Sequence, residues 1–220
     1  AIIVLLAGNA RPHLARWLTL AFSVITFALS LVMLTQYQIG PGGFQLQEHL
    51  RWIPGIPPNY HMGVDGIAVA LIVLTTFTSI LVIGGAWQVI KDKVHQYMAA
   101  MLVLEGLLIG VFCAMDALLF YLFFEAILIP MFFLIGIWGG PRRVYATLKF
   151  FIYTFFCSIF FLIGRLYMYH RAGTFDLPAL WAFPFTMQEQ SWLFFSFLIA
   201  FAVKTPMVPV HTWLPDAHVE

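Results

Sequence analysis

Long apolar stretches recur along the whole chain, and they constrain its fold more than any other feature. Hydrophobic residues make up 62% of the chain and charged residues 10%, a balance that one soluble core could not bury. A helix needs about 20 apolar residues to cross a hydrocarbon core. The sequence therefore predicts an all-α fold, a polytopic bundle of transmembrane helices. The predicted spans are Trp17–Tyr37, Asp65–Trp87, Tyr97–Met115, Ala117–Trp138, Val144–Tyr169 and a last span from Trp192 into a break at Pro206 and Pro209.

The chain is interpreted as a single membrane domain over residues 1–220. Its opening stretch, Ala1–Gly8, is apolar but too short to cross a bilayer, and no methionine precedes it. Because this stretch looks like the tail of a helix, we expect a fragment that covers roughly the first seven transmembrane helices of a longer protein.

Two compositional features exclude other classes of function. The formal net charge of +1 gives no indication of a nucleic-acid partner. Cys113 and Cys157 stand alone in apolar runs, and they are interpreted as small buried residues, not as a disulfide or a metal site.

Lysine and arginine are unevenly distributed among the predicted loops. Cytoplasmic loops of membrane proteins carry an excess of these residues. The first, third and fifth loops are therefore predicted to be cytoplasmic, which places the N-terminus on the periplasmic side and the loop Gln38–Val64 on the outer face. The basic residues of the inner loops are Arg11, Arg16, Lys91, Lys93, Arg142 and Arg143, against only Arg51 and Arg171 in the outer ones.

Three ionisable side chains are predicted near the middle of the membrane. Glu105 and Glu125 lie eleven residues before and nine residues after the turn at Asp116, which is roughly 16 Å and 14 Å at 1.5 Å per residue. Lys204 lies twelve residues after Trp192, roughly 18 Å in from the same side. Carrying one such charge at that depth costs about 2.5–3.5 kcal/mol. The three residues are therefore predicted to move charge across the bilayer.

Structural alternatives stay open for these groups. Glu125 and Lys204 could form a fixed salt bridge that pins helices together. Glu105 could simply hydrogen-bond across a helix interface, because Gly106 and Gly110 on the same helix suggest close packing.

Other polar residues lie in or beside the same spans. Lys149 is five residues into its helix, where it could snorkel toward the inner interface or relay protons. Arg165 lies near the outer end of that helix and is predicted to snorkel. Asp65 is predicted to cap the start of its helix.

The segment after Lys204 is dense in proline and polar residues. Non-helical backbone at membrane depth is tolerated only in protein or beside water, so an internal hydrated site is predicted there. His211 and His218 could relay protons through it, since imidazole titrates near neutrality, and ordinary hydrogen bonding is the alternative for His218. A zinc site made of both histidines and Asp216 matches no standard spacing, so no metal is predicted.

Three strings of residues carry a family resemblance. They resemble the M-type antiporter-like subunits of bacterial proton-pumping NADH:quinone oxidoreductase, respiratory complex I, and the likeness covers nearly the whole chain. The strings are Phe124-Glu-Ala-Ile-Leu-Ile-Pro-Met-Phe-Phe-Leu-Ile-Gly-Ile-Trp-Gly-Gly140, Lys149-Phe-Phe-Ile-Tyr-Thr154 and Phe201-Ala-Val-Lys-Thr-Pro-Met-Val-Pro-Val-His-Thr-Trp-Leu-Pro-Asp-Ala-His218.

The resemblance implies a function and a setting. Glu125 and Lys204 would be the pair that gates proton transfer, and Lys149 and His211 would line a hydrophilic axis. No cofactor is expected in this chain, whereas NADH, FMN, iron–sulfur clusters and quinone are expected in partner subunits. The implied partners are other membrane subunits of the complex, especially neighbouring antiporter-like ones, and the lipid of the bacterial inner membrane.

Two other functions remain possible on the sequence alone. A subunit of an Mrp-type cation/proton antiporter or of a membrane-bound hydrogenase could use the same Glu125–Lys204 pair without NADH. A structural membrane spacer is the alternative from another class, with the pair acting as a fixed bolt.

Overall fold

The computed structural model describes residues 1–6, 8, 11–40, 43–51 and 59–219, and the chain forms two compact units. The first unit comprises Ala1–Glu48 and Met62–Ala114, and the second comprises His49–His61 and Met115–Glu220. The interpretation of residues 1–220 as one membrane domain stays a prediction. The proline-rich part of the predicted outer loop, residues 52–58, lies outside the described residues, as does the side chain of Arg51.

Three long helices build the first unit. Helix α2 packs against α3 and α4, α3 packs against α4, and the short α1 packs against α4 and α2. Two strands precede α3 and pair with each other, so the predicted outer loop contains a strand pair that its polar composition did not indicate. The helices of this unit are α1 (Ile2–Leu6), α2 (Pro12–Gln36), α3 (Gly66–Val89) and α4 (Val94–Cys113), and the strands β1 (Gln45–Arg51) and β2 (Asn59–Val64) contain residues of both units.

The second unit is built around its longest helix, α7. Helices α5, α6, α9 and α10 all pack against it, and α5 also packs against α6. The elements are α5 (Ala117–Ala126), α6 (Leu128–Trp138), α7 (Arg143–Ala172), α8 (Leu177–Ala182), α9 (Met187–Lys204) and α10 (Trp213–Val219).

The predicted class, a helical polytopic membrane protein, is confirmed. Five segments of the described chain are long and apolar enough to cross a membrane, and they match the first five predicted spans to within a few residues. Helix α9 corresponds to the sixth predicted span, but it begins with polar residues at Gln188, Glu189 and Gln190 and is not among these five segments. It ends at Lys204, so the predicted break before Pro206 is confirmed.

Helix α2 shows that lipid is the solvent of this fold. Its buried residues are all small, namely Ala15, Thr19, Ser23 and Ser30, while Leu29 is 63% exposed. A water-soluble helix would bury its large apolar residues and expose its hydroxyls. Here the helix buries hydroxyls and small residues because the hydrocarbon outside solvates the large side chains.

Two local expectations for the helices change. The predicted span Ala117–Trp138 is interrupted at Ile127, because Pro130 has no N–H to donate to the carbonyl four residues earlier. Gly106 is exposed, and nothing in the described chain lies within 4 Å of a Cβ built there. It therefore does not mark close packing. The Asp65 cap is confirmed, since its carboxylate accepts a hydrogen bond from the N–H of Ala68 at 2.7 Å.

Candidate functional site

Glu125 stands at a break in its helix. It is the residue before the last of α5, and α6 starts two residues after α5 ends. Both carboxyl oxygens are buried, and neither has a hydrogen-bond partner in the described part of the chain. Two polar groups act on the carboxyl, Lys204 and the hydroxyl of Ser158 in α7. Glu125 is therefore a buried carboxyl that no hydrogen bond from the described residues holds in place.

Lys204 also stands at a helix end. It is the last residue of α9, and its Nζ lies 4.2 Å from the ring centroid of Phe124. It forms no ion pair within 4.0 Å of Glu125, although the two charges act on each other. The fixed salt bridge is therefore not the arrangement of this conformation, and the pair stands apart with an aromatic ring beside the cation.

Lys204 lies where a helix ends, and this position favours its charge. The C-terminal end of a helix carries partial negative charge, which stabilises a cation. Lys204 is the last residue of α9 and is stabilised by this field.

Aromatic rings surround the pair. The ring of Phe161 lies 5.9 Å from that of Phe124 and 4.9 Å from that of Phe201, measured between centroids. Phe161 itself is 2% exposed. Such rings exclude bulk water and provide π faces for a cation. The surroundings of Glu125 and Lys204 are therefore mainly aromatic.

The prediction that Arg165 snorkels is wrong. It does not snorkel, because it is 7% exposed and its guanidinium lies 3.9 Å from the ring centroid of Phe161 and 4.8 Å from that of Phe120. Its Nε and Nη1 have no hydrogen-bond partner among the described residues. The side chain stays inside because α7 continues to Ala172, so the rings of α5 and α7 cover it before the helix ends.

Lys149 has a partner that was not predicted. Its Nζ lies 2.6 Å from Oδ2 of Asp216 in α10 and 5.5 Å from the ring centroid of Tyr145. Both side chains of the ion pair are about one-fifth exposed. Lys149 is therefore engaged with the chain after the break, where Asp216 is its ion-pair partner.

Further contacts fix the segment after the break to α9 and α7. The indole N–H of Trp213 donates to the carbonyl of Val203 at 2.9 Å, and its ring lies 5.2 Å from that of Phe150. Trp213 is 7% exposed. These contacts and the ion pair hold α10 against the same face of α7 that carries Lys149.

The two histidines of this segment differ. His211 lies in the turns between α9 and α10, and its Nδ1 is buried without a partner in the described chain. His218 is exposed near the end of α10. A buried, unpartnered imidazole nitrogen is the more suitable proton acceptor, so His211 fits a relay better than His218 does.

Glu105 belongs to the first unit. It is 3% exposed, on α4, and its Oε1 has no hydrogen-bond partner among the described residues. The structure thus brings Glu125, Lys204, Lys149, His211 and His218 into the second unit and Glu105 into the first.

Tyr121 and Ser158 escaped the sequence analysis, and the pairing of Asp216 with Lys149 was not predicted. Tyr121, whose hydroxyl is influenced by Glu125 and Arg165, lies one helical turn before Glu125, so its spacing could have indicated it. Ser158 and Asp216 lie on other elements, and no local pattern connects them to Glu125 or Lys149.

Comparison with known proteins finds relatives over nearly the whole chain. The family profile described as NADH:quinone oxidoreductase/Mrp antiporter, TM, matches residues 114–220. NADH-quinone oxidoreductase subunit M of Rhodobacter capsulatus is 47% identical over 227 aligned residues, which cover 97% of this chain and 44% of that protein. NADH-ubiquinone oxidoreductase chain 4 of Arabidopsis thaliana is 43% identical over 221, covering 100% and 45%. The chain spans less than half the length of these relatives.

Solved structures give the same picture. A chain of respiratory complex I from Thermus thermophilus with bound NADH superposes with a TM-score of 0.83 at 31% identity, covering 99% of this chain and 46% of that chain. A chain of the Mrp complex from Dietzia sp. DQ12-45-1b gives 0.86 at 17% identity, covering 99% and 24%, a likeness that shows the fold alone. The resemblance predicted from the sequence motifs is confirmed.

Proposed function

We propose that this chain, which belongs to the antiporter-like subunit family of NADH:quinone oxidoreductases and Mrp antiporters, translocates protons as part of an M-type subunit of complex I. Its relatives are named as subunits of NADH-quinone oxidoreductase. The observation that carries the proposal is the pair of charged residues at two interrupted helices, Glu125 at the end of α5 and Lys204 at the end of α9.

Broken helices are where membrane transporters place ions. Their freed backbone groups and dipole ends create local polarity inside an apolar protein. In this chain α9 ends in such a break directly after Lys204, and Pro130 removes one helical hydrogen bond close to Glu125. A passive anchor has no need of either.

The energy of the pair has the size that a switch needs. Two unit charges about 6 Å apart at an effective dielectric of about 20 attract by roughly 2.8 kcal/mol. Moving one charge through 100 mV represents about 2.3 kcal/mol. A change in the charge of Glu125 or in its distance from Lys204 could therefore drive or block one proton against a membrane potential.

The side chains suggest the order of events. While Glu125 is ionised, its attraction keeps the proton on the Lys204 ammonium. When Glu125 takes up a proton or moves away, Lys204 can give its proton to an acceptor in the segment after the break, where the Nδ1 of His211 is unpartnered. The next charged group on this path would be Lys149 on α7, together with its ion-pair partner Asp216. His218 would complete this group in the second unit, and Glu105 would bind a proton separately in the first unit.

The setting of the chain is part of the proposal. The redox cofactors of complex I, namely NADH, FMN, iron–sulfur clusters and quinone, would lie in other subunits, and this chain would bind none. Its partners would be neighbouring membrane subunits and lipid of the bacterial inner membrane, with the N-terminus periplasmic. Cysteines introduced near Arg142 should then be labelled from the cytoplasm, and cysteines near Thr174 from the periplasm. The reverse pattern would overturn the orientation.

The test of the proton-transfer pair replaces each member in the parent complex, in membrane vesicles. Glu125→Gln removes the charge at nearly constant shape, and we expect proton pumping per electron to fall about tenfold or more. Lys204→Arg keeps the positive charge but cannot release a proton, so we expect a similar loss. Native gels check that each variant assembles.

The arginine variant separates the proposal from the structural spacer. A fixed ion pair that holds helices together needs only the positive charge. The complex with Lys204→Arg would then pump normally, while the complex with Lys204→Ala would fail. Full pumping by either Glu125→Gln or Lys204→Arg, in an assembled complex, would falsify the role of the pair.

A further inference from the structure

The hydroxyl groups inside the first unit differ in how they are satisfied. Serine and threonine in apolar helices normally donate to a backbone carbonyl one turn earlier. Thr19 donates to the carbonyl of Ala15 at 2.8 Å and Ser30 to that of Phe27 at 2.8 Å. Both residues therefore serve packing and need no ligand.

Ser23 is the exception on the same face of α2. Its side chain is fully buried, at 0% exposure, and its Oγ has no hydrogen-bond partner in the described part of the chain. The group on which this hydroxyl acts is the Glu105 carboxyl of α4. An unpartnered hydroxyl beside an unpartnered carboxyl oxygen is an arrangement that packing alone does not require.

Within the described residues, no charge compensates Glu105. Burial and Ser23 are the influences on its carboxyl, and no charged side chain of the described chain acts on it. The ionisable groups on the helices packed around it lie toward their ends. Arg16 on α2 donates to the carbonyl of Ile90 at 2.9 Å, and His95 on α4 precedes Glu105 by ten residues, roughly 15 Å along the helix. An ionised carboxylate buried without a partner is costly, so the group must bind a proton or a cation.

We propose that Glu105 and Ser23 form a second proton-binding site, inside the first unit and independent of Glu125 and Lys204. The carboxylate takes up one proton and becomes a neutral acid. The acid O–H then donates to Ser23 Oγ, which gives both unpartnered groups a hydrogen bond. The site holds a proton without a neighbouring cation.

A hydrophobic carbodiimide tests this on the purified protein in liposomes, because such reagents modify protonated carboxyls within membranes. The acid adds across a C=N bond, its proton passes to nitrogen, and rearrangement leaves a stable adduct that contains the whole reagent. Mass spectrometry of peptides locates it. We expect labelling at Glu105 at neutral pH and none at Glu189, a carboxyl that Arg171 pairs at 2.6 Å.

Matched variants define the hydroxyl's role. Glu105→Gln should lose the adduct, Ser23→Ala should change its rate of formation by about twofold or more through loss of a hydrogen bond, and Ser30→Ala should leave the rate unchanged. Equal rates in Ser23→Ala and the parent protein would overturn the role of Ser23. Protection by sodium but not by potassium would overturn the proton assignment in favour of a cation site.

A reagent-free measurement covers the case in which the carbodiimide cannot reach the site. Infrared difference spectra between the parent protein and Glu105→Gln should contain the C=O stretch of a protonated carboxylic acid. A carboxylate band in its place would overturn the proposal. Neither outcome depends on proton pumping, so failure here is distinct from failure of the Glu125–Lys204 pair.

Discussion

Glu105 and Glu125 are both buried carboxyls on apolar helices, but their two units surround them differently. Glu105 lies in a continuous helix beside the hydroxyl of Ser23, and no charged group acts on it. Glu125 lies at a helix break and shares its surroundings with Lys204 and Ser158. A carboxyl without a cation stores a proton, whereas a carboxyl whose charge acts on a cation can change what that cation does.

The difference extends through each unit. Charges inside the second unit interact with one another or with rings, as in the Lys149–Asp216 ion pair and the Arg165 contact with Phe161. The interior of the first unit uses neutral hydroxyls, such as the Ser30 and Thr76 pair at 2.9 Å. The second unit is therefore suited to transmit changes of charge, whereas the hydroxyls inside the first unit form hydrogen bonds between neutral groups.

Removal of one charge from the second unit should disturb it most. Asp216→Asn leaves Lys149 as a cation without a counter-ion, so we expect α10 to separate from α7 more often and proton pumping in the parent complex to fall. Amide hydrogen exchange over Trp213–Val219 should become faster. The measurement is exchange by mass spectrometry on the assembled complex.

The matched control for this change keeps the charge. Asp216→Glu preserves an ion pair with Lys149 and should keep exchange close to that of the parent protein. If Asp216→Asn also exchanges at the parent rate, the ion pair does not hold α10, and the contacts of Trp213 suffice.

The sequence could predict those features of the fold that depend on residues within one helix. Apolar length predicted the spans, and the prolines after Lys204 predicted the end of α9, because both effects act within one helix. The same rule applied to Pro130 would have predicted the break at Ile127, beside Glu125. The prediction that Arg165 snorkels was wrong, because the burial of its side chain depends on Phe120, a residue of another helix.

The site residues divide in the same way. Glu125 and Lys204 could be selected from the cost of their charges in apolar runs. Asp216 as the partner of Lys149 could not, since the two residues are far apart in the chain and meet only when α10 packs on α7. Ser23 could not be distinguished from Ser30 by sequence, because the difference lies in which hydroxyl finds a carbonyl.

Glycine-to-alanine substitution is predicted to have opposite effects on stability in the two units, because the space around the two glycines differs. A Cβ added at Gly164 would lie 2.7 Å from the ring of Phe197, which packs at 5.1 Å against the buried ring of Phe161. Gly164→Ala should therefore destabilise the contact of α7 with α9 by about 1–3 kcal/mol. Gly106→Ala, in open space on α4, should instead stabilise its helix by about 0.5–1 kcal/mol.

Thermal unfolding in detergent measures both glycine variants. We expect a lower transition temperature for Gly164→Ala and a higher or unchanged transition temperature for Gly106→Ala. Equal shifts in the two variants would mean that α7 and α9 can move apart without cost, and that the close approach at Gly164 has no structural role.

The smallest effect concerns a carboxyl that is fully paired, in contrast to Glu105. Glu189 lies in the first turn of α9, before the apolar stretch that begins at Trp192. Its carboxylate accepts hydrogen bonds from the backbone N–H of Thr186 and from the hydroxyl of Tyr167, each at 2.8 Å. These bonds, the Thr186 hydroxyl and Arg171 lower the pKa of Glu189 from its ordinary 4.5 to about 2.

Because the folded-state pKa of Glu189 lies below its ordinary value, the ionised cap stabilises the start of α9 at every pH above 4.5, and this contribution disappears as pH falls toward 2. Glu189→Gln reproduces the loss at neutral pH, so we expect faster amide exchange confined to the first turn of α9. Gln188→Ala, one residue earlier and without a capping contact, is the control and should leave that exchange unchanged. If the two variants exchange alike, the capping box contributes nothing that solvent does not replace, and α9 is held by its contacts with α7 alone.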